Sequence, residues 1–149
     1  MLIIKLTLLT FLLLSSIGFA ADGLIQLKSH HSVKQTTKNL LDVLKKKGMT
    51  VFKVINHKKG AKKVGKKLRP TTVVIFGNPK VGTPLMQCAQ TAAIDLPQKA
   101  LIYKDAKGQV WYAYNNPQYL VTRHNIKECE KPLAKITKAL GNFAKAATK

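Results

Sequence analysis

The fold of this chain is decided by the stretch Lys99-Ala-Leu-Ile-Tyr-Lys-Asp-Ala-Lys-Gly-Gln-Val-Trp-Tyr-Ala-Tyr114. Near its end, Val110, Tyr112 and Tyr114 alternate with Trp111 and Ala113, which is typical of a β-strand. The Asp-Ala-Lys-Gly in the middle supplies a turn between two such segments. The pattern therefore predicts a β-hairpin over residues 99–104 and 109–114, and a hairpin disfavours a purely parallel, doubly wound sheet.

Three more strands are predicted upstream of this hairpin. Residues 23–29 alternate in polarity, and residues 50–55 are apolar on both faces, which predicts a well-buried strand. Residues 71–76 form a continuous β-branched run that suits a central strand.

The segments between the predicted strands have apolar residues at helical spacing, which predicts helices there. Ser32 is suited to cap a helix that ends at Lys47-Gly48. Further helices are predicted over residues 58–68, from 84 to 93 and from Pro132 onward, with fraying after Phe143. We expect an α+β fold: a two-layer sandwich of one mostly antiparallel or mixed sheet, with helices packed mainly on one face.

The first twenty residues have the pattern of a secretory signal peptide. Lys5 precedes an apolar run, and small residues precede a cut after Ala20. We therefore expect a signal peptide over residues 1–20, a single domain over 21–149, a periplasmic or secreted location, and no transmembrane segment after cleavage. A signal anchor that is retained is the alternative.

The two cysteines fit an oxidising compartment. Cys88 and Cys129 are the only pair and form no C-x-x-C motif. An exported pair is predicted to form a disulfide, and two buried thiols are the alternative.

The charge of the chain is strongly one-sided. Lys and Arg number 26 against 6 Asp and Glu, a net charge of +20 over 149 residues. Such a charge attracts polyanions, although it also simply keeps a protein in solution. Six lysines fall on one half of the predicted helix over residues 58–68, where they are candidates for binding a polyanion or anionic lipid: Lys58, Lys59, Lys62, Lys63, Lys66 and Lys67. Few aromatics interleave with them, so no nucleic acid is expected as a partner in vivo.

Residues 77–83, Gly-Asn-Pro-Lys-Val-Gly-Thr, follow a buried strand and precede a helix, where phosphate loops lie. Thr83 stands where a P-loop needs lysine, which excludes that motif. A plain turn is favoured, and a backbone cradle for a small anion is the alternative.

Catalytic and metal-binding patterns are weak. None of the four histidines has the helical spacing of a zinc motif, and no carboxylate pair or nucleophile elbow is present. No cofactor is therefore assigned. A metal or haem site on His57, Met86 and His124, and an enzyme with His57 or His124 as general base, are kept as alternatives.

Several short strings together resemble the domain of unknown function 302 family. They run from Val51-Phe-Lys-Val-Ile-Asn-His57 through Leu68-Arg-Pro-Thr-Thr-Val-Val-Ile-Phe-Gly-Asn-Pro79, Gly82-Thr-Pro-Leu-Met86 and Asp95-Leu-Pro97 to Tyr114, Asn116-Pro117 and Arg123-His124. The resemblance implies a compact α+β sandwich, often a dimer, in bacteria and archaea, with no assigned activity.

The recurrent polar positions of that family map to this chain residue by residue: His57, Asn78, Thr83, Asp95, Arg123 and His124. The family usually has an acidic residue before the histidine that matches His57, and this chain has Asn56 at that position. We expect a non-catalytic binding or accessory module for a small ligand or an anionic envelope component, with His57, Asn78, Thr83, Arg123 and His124 lining a pocket. For Asp95, a structural ion pair is the favoured interpretation. A homodimer is a further expectation.

Overall fold

The computed structural model describes residues 23–149, so the predicted signal peptide over 1–20 lies outside the described residues. Five strands form one antiparallel sheet in the order β1-β5-β4-β3-β2. The elements in chain order are β1 Leu24–Ser29, α1 Val33–Lys46, β2 Thr50–Asn56, α2 His57–Lys63, β3 Thr71–Gly77, α3 Pro79–Cys88, a 3₁₀ helix Gln90–Ile94, β4 Gln98–Lys104, β5 Val110–Asn115, α4 Pro117–His124 and α5 Glu130–Thr148.

The predicted hairpin is β4 and β5, and it forms the middle of the sheet together with β3. Strand β1 pairs with the outer edge of β5. Strand β3 pairs with β4 on one side and with β2 on the other. Helices α1 and α5 pack together against the sheet. The predicted α+β class, with an antiparallel sheet and helices mainly on one face, is confirmed.

The core lies between the sheet and these two helices. Side chains of β3 are buried alternately, with Val74 and Phe76 pointing into the core. The ring of Phe76 meets that of Phe143 from α5 edge-to-face, with centroids 6.0 Å apart. Leu40 and Leu44 of α1 are completely buried in the same layer.

Strand β2 corrects one expectation. It is an edge strand, paired only with β3, and most of its residues are exposed. The pairing register shifts between Val51 and Lys53, so Phe52 lies in a bulge and is exposed. The apolar residues on both faces reflect a strand that borders two concave surfaces, described below.

Helix α1 begins and ends as predicted. The Ser32 hydroxyl accepts a hydrogen bond from the Gln35 amide. At the other end Gly48 has φ of +64°, and the Met49 amide donates to the Leu44 carbonyl.

Helix α2 is shorter than the predicted helix over 58–68. It ends at Lys63 because Gly65 takes the left-handed conformation, with φ of +69°, and lets the Lys66 amide bond back to the Ala61 carbonyl. Lys66 and Lys67 therefore lie beyond the helix, and the apolar side chains of Val64 and Leu68 are exposed.

The predicted helix over 84–93 is two elements instead of one. Asn78 caps α3, which begins at Pro79, and the chain then breaks at Ala89 into the 3₁₀ helix. The Asn78 side chain accepts from the Lys80 amide, and the Asn78 carbonyl accepts from the amides of Val81 and Gly82. These amides are occupied, so the alternative of a backbone cradle for an anion is wrong.

Helix α5 continues to Thr148 and does not fray after Phe143. Ala144 and Ala147 are buried in the core, and the Thr148 carbonyl accepts from the His30 amide. Small alanines at helical spacing allow the last turns to approach α1 closely, which fixes this end of the chain. Over residues 23–149, no helix combines the length and apolar character needed to span a bilayer.

Candidate functional site: an apolar cavity at one end of the sheet

A cavity of about 310 Å³ opens where β3 ends, between α3 and α5. This volume is at the lower end of the range of sites that hold small molecules. Its lining residues come from β2 and the residue before it, from β3 and α3, from the start of β4 and the segment before it, and from α5: Met49, Phe52, Phe76, Gly77, Asn78, Pro79, Val81, Gly82, Thr83, Met86, Ala93, Leu96, Pro97, Gln98, Lys135, Ile136, Ala139, Leu140 and Phe143.

Local chemistry at the end of β3 explains why a gap forms there. Asn78 and Pro79 turn the chain out of the strand and start α3 at once, since Asn is a favoured cap and Pro suits the first turn. Gly77 allows the Phe52 ring to lie close, because an added Cβ would stand 3.3 Å from it. The strand end and α3 thus form one wall, and the middle of α5 forms the facing wall.

A disulfide ties these two walls together. Cys88 is the last residue of α3, and Cys129 immediately precedes α5. The two cysteines are bonded, with their Cα atoms 6.2 Å apart, so the predicted bridge is present. The bond thus links the end of α3 to the start of α5, which are elements of the two facing walls.

Four polar side chains line the cavity, those of Asn78, Thr83, Gln98 and Lys135. Among the lining residues Lys135 is the one ionisable side chain, and it is exposed, as is Thr83. Gln98 adds an amide. No lining residue is acidic. An apolar interior with a cation at its opening suits a molecule that is apolar along most of its length and carries an anionic group at one end.

A polar cluster lies behind the cavity wall, beside Leu96. The Asp95 carboxylate is 2.6 Å from His124 Nε2 and 3.5 Å from Arg123 Nε. The other ring nitrogen of His124 is 3.0 Å from the Thr91 hydroxyl. The His124 side chain is only 6% exposed, so it is held on both sides in a nearly dry position.

Arg123 connects this cluster to the rest of α4. Its guanidinium donates to the Tyr119 hydroxyl at 3.0 Å. That hydrogen bond, and then the charge of Asp95, raise the pKa of Arg123. The cluster joins α4 to the segment that enters the cavity at Leu96 and Pro97, which is the structural ion pair expected for Asp95.

The residues predicted to line one pocket lie in three places. Asn78 and Thr83 line the cavity, whereas Arg123 and His124 belong to the polar cluster. His57 follows Asn56, which pairs with Thr72 at the opposite end of β3 from Gly77. These ends are five residue steps apart along the strand, about 17 Å. The structure therefore does not bring the five residues together.

The three residues of the alternative metal or haem site, His57, Met86 and His124, also lie apart. Met86 lines the cavity, His124 is engaged by Asp95 and Thr91, and His57 lies at the far end of the sheet. In the part of the chain from 23 to 149, no three His, Cys, Asp or Glu side chains are grouped as a metal site requires.

Sequence reasoning missed the apolar residues of the cavity. Met49, Leu140 and Phe143 have the spacing of core residues, and the sequence contains no signal that separates a filled core from one with a gap. The exposed Phe52 lies in a bulge, which depends on pairing with β3 and is equally invisible beforehand.

The fold and the site define a small antiparallel α+β sandwich with an apolar cavity between its sheet end and two disulfide-linked helices. The chain belongs to the family described as Domain of unknown function DUF302, whose model matches residues 25–143. A crystal structure titled as an uncharacterised conserved protein DUF302 from Bacillus stearothermophilus has the same fold, with a TM-score of 0.76 over 85% of this chain and 99% of that chain. The two are 19% identical.

Curated relatives are more similar in sequence. A protein of Brucella suis biovar 1 (strain 1330) named fluoride-specific ion channel FluC 1 is 43% identical over 105 residues, or 70% of this chain and 41% of its own length. A protein of the same name from Brucella abortus biovar 1 (strain 9-941) is 43% identical over 39% of its length. The chain thus spans about two fifths of the length of these relatives.

Proposed function

We propose that this chain is a non-catalytic binding module whose cavity takes a small apolar molecule with one anionic end. The observation that carries the proposal is the cavity itself: its walls are apolar and the one ionisable lining residue is Lys135 at the mouth. Burying an apolar tail supplies about 25 cal/mol for each Å² removed from water, and an exposed ion pair adds up to about 1 kcal/mol.

The setting of the module is also part of the proposal. The signal-peptide pattern and the Cys88–Cys129 bridge support a periplasmic or secreted location. The Brucella relatives are longer than the matched segment and carry a channel name, which supports an accessory role for such a domain within larger proteins.

Octanoate and 1-octanol test the site, since they share a tail and differ in charge. Each is titrated against a bound fluorescent probe, 1-anilinonaphthalene-8-sulfonate. Ala139→Phe fills the cavity and should abolish displaceable binding of both compounds. Ala134→Phe is the matched control, because it adds the same ring on the same helix at an exposed position outside the lining.

A second variant separates charge from apolar contact. Lys135→Gln should weaken octanoate about two- to fivefold and leave 1-octanol unchanged, as expected for loss of an exposed ion pair. If Ala139→Phe binds both compounds as well as Ala134→Phe does, the cavity is not the ligand site.

We also propose, as a second function, that the segment from Lys58 to Leu68 docks on an anionic lipid surface. All six of its candidate lysines are exposed, and Val64 is 71% exposed between them. Cations with an exposed apolar side chain among them are the pattern of peripheral binding to anionic headgroups.

Sedimentation with phosphatidylglycerol-containing vesicles tests this docking. Changing Lys62, Lys63, Lys66 and Lys67 to Gln should abolish binding, and added salt should weaken it in the wild type. The control removes four exposed lysines elsewhere: Lys127, Lys131, Lys138 and Lys145. If both variants lose vesicle binding equally, net charge alone explains the binding and the segment from Lys58 to Leu68 is not a docking site.

A further inference from the structure

A second concave site lies at the end of the sheet opposite the cavity. It is a cleft of about 500 Å³ between the first turn of α1, the end of β2 and the start of β3. We call it the basic cleft, because Lys34, Lys58 and Lys104 all line it and no Asp or Glu does. These lysines come from three separate parts of the chain, so no helical periodicity produces their convergence.

The floor of the basic cleft holds a hydroxyl without a partner. Thr72 is only 7% exposed and lines the cleft, on the side of β3 that faces α1. Over residues 23–149 its hydroxyl makes no hydrogen bond, whereas the neighbouring Thr71 hydroxyl bonds to the Arg69 carbonyl at 2.9 Å. The hydroxyl therefore opens onto the cleft and is free to bond to a molecule that sits there.

The first turn of α1 adds donors to the same cleft. Ser32 uses its hydroxyl to accept from Gln35, and its carbonyl accepts from Thr36. The amides of Val33 and Lys34 have no acceptor among the described residues. A fourteen-residue helix concentrates partial positive charge at this end, where such free amides favour anions.

The nearest carboxylate in sequence does not compensate these charges. Asp105 follows Lys104, but its oxygens accept from the amides of Lys107 and Gln109 and from the Trp111 indole at 2.8 to 2.9 Å. It is committed to the β4–β5 turn, so the three lysines are left without a counterion in the cleft.

We propose that the basic cleft binds a phosphoryl group, held by Lys34, Lys58 and Lys104, the Thr72 hydroxyl and the free amides of α1. This site is distinct from the apolar cavity, and it shares Lys58 with the proposed docking segment. The phosphoryl group has two possible sources, a soluble oligophosphate or a phospholipid headgroup. Both present several acceptor oxygens and negative charge, which match lysines, amides and one hydroxyl.

Calorimetric titration with pyrophosphate at 150 mM NaCl tests the site, and a parallel arm uses phosphatidylglycerol vesicles. The decisive variant is Thr72→Val, which removes one hydroxyl, keeps the shape and leaves net charge unchanged. We expect it to weaken binding about tenfold, the effect of losing a hydrogen bond to a charged group. Loss confined to pyrophosphate assigns a soluble ligand, and loss confined to vesicles assigns a headgroup.

A charge-matched pair provides the second readout. Lys34→Gln with Lys104→Gln should weaken binding far more than Lys131→Gln with Lys138→Gln, which removes the same charge from exposed positions on α5. Two results together would overturn the proposal: Thr72→Val binds both probes as the wild type does, and the two double lysine variants lose affinity equally. The attraction would then be that of a basic surface, and the basic cleft would not be a binding site. Octanoate binding should be unchanged in all these variants, so failure here is separable from failure at the cavity.

Discussion

Asp95 shows how one carboxylate organises the wall of the cavity. It receives His124 and Arg123 on the same oxygen, and it immediately precedes the Leu96 and Pro97 that enter the lining. The two partners differ in burial, since the His124 side chain is 6% exposed and that of Arg123 is 46% exposed. Their contributions to stability should differ accordingly.

Replacing Asp95 with Ala should lower the free energy of unfolding by about 1–3 kcal/mol, because the buried ring of His124 loses its partner. Arg123→Ala should cost less than Asp95→Ala, since the ion pair of Arg123 is exposed. Urea unfolding of the two variants measures both values. Equal losses would show that burial of His124 does not set the strength of this cluster.

Asp105 makes the turn of the central hairpin sensitive to acid. Its hydrogen bond from Trp111, followed by bonds from the Gln109 and Lys107 amides, lowers the pKa of this carboxyl below its ordinary 3.8. The folded state therefore binds the Asp105 proton less readily than the unfolded state does. The resulting stabilisation is complete above the unfolded pKa and is lost as pH falls through the lowered folded value.

We expect the wild type to lose stability below about pH 4 more steeply than Asp105→Asn does, because the variant has no carboxylate to protonate there. Trp111 is the one tryptophan of the chain, so its fluorescence reports on this turn directly. Urea midpoints at pH 7 and pH 3 make the comparison. Parallel acid losses in the two proteins would contradict a role for the indole–carboxylate bond.

At the scale of elements, the strands and helices that follow local rules were predictable. The β4–β5 hairpin rests on alternation and a turn, and α1 rests on its Ser32 cap and Gly48 stop. Long-range pairing decides the rest. The sequence of β2 is apolar enough for an interior strand, but only the sheet order shows that it is an edge, and Gly65 shortens α2 through a conformation that spacing does not reveal.

The disulfide acts at the same scale, because it joins α3 to the start of α5. Its cysteines are 41 residues apart in sequence, and closing a loop of that size is worth about 4 kcal/mol in the chain-entropy model. The double variant Cys88→Ser, Cys129→Ser should lower the free energy of unfolding by about that amount and weaken octanoate binding. Urea unfolding and the octanoate titration measure the two effects.

Reduction of the disulfide in the unmutated chain is the control for this prediction. Dithiothreitol should destabilise the wild type and leave the double variant unchanged. An intact octanoate affinity in a destabilised variant would mean that the bridge supports the fold and does not set the cavity walls.

At the scale of the whole molecule, the sheet separates two surfaces of opposite character. The apolar cavity lies at the Gly77 end of β3, and the basic cleft lies at the Thr72 end. The excess of 26 basic over 6 acidic residues indicated an affinity for anions, but not where the cations converge. The polar positions shared with the family also did not converge, because antiparallel pairing of β2 with β3 puts His57 and Asn78 at opposite ends.

The cavity could not be predicted for a related reason. Its walls combine segments near residues 76–98 with residues 135–143, and packing across that distance decides whether apolar side chains fill a core or leave a gap. Asn78 and Thr83 were predicted because they match recurrent polar positions of the family. The residues that give the cavity its chemistry are apolar and look like ordinary core.

¹³C NMR of the methionine methyl groups during an octanoate titration shows whether the apolar cavity is the ligand site. Two of the three methionines of the chain line the cavity, Met49 from the segment just before β2 and Met86 from α3. We predict that both methyl signals shift together with one saturable affinity, and that neither shifts in Ala139→Phe. Methyl signals that stay in place while octanoate binds, or that shift equally in Ala139→Phe, would contradict a ligand site in this cavity.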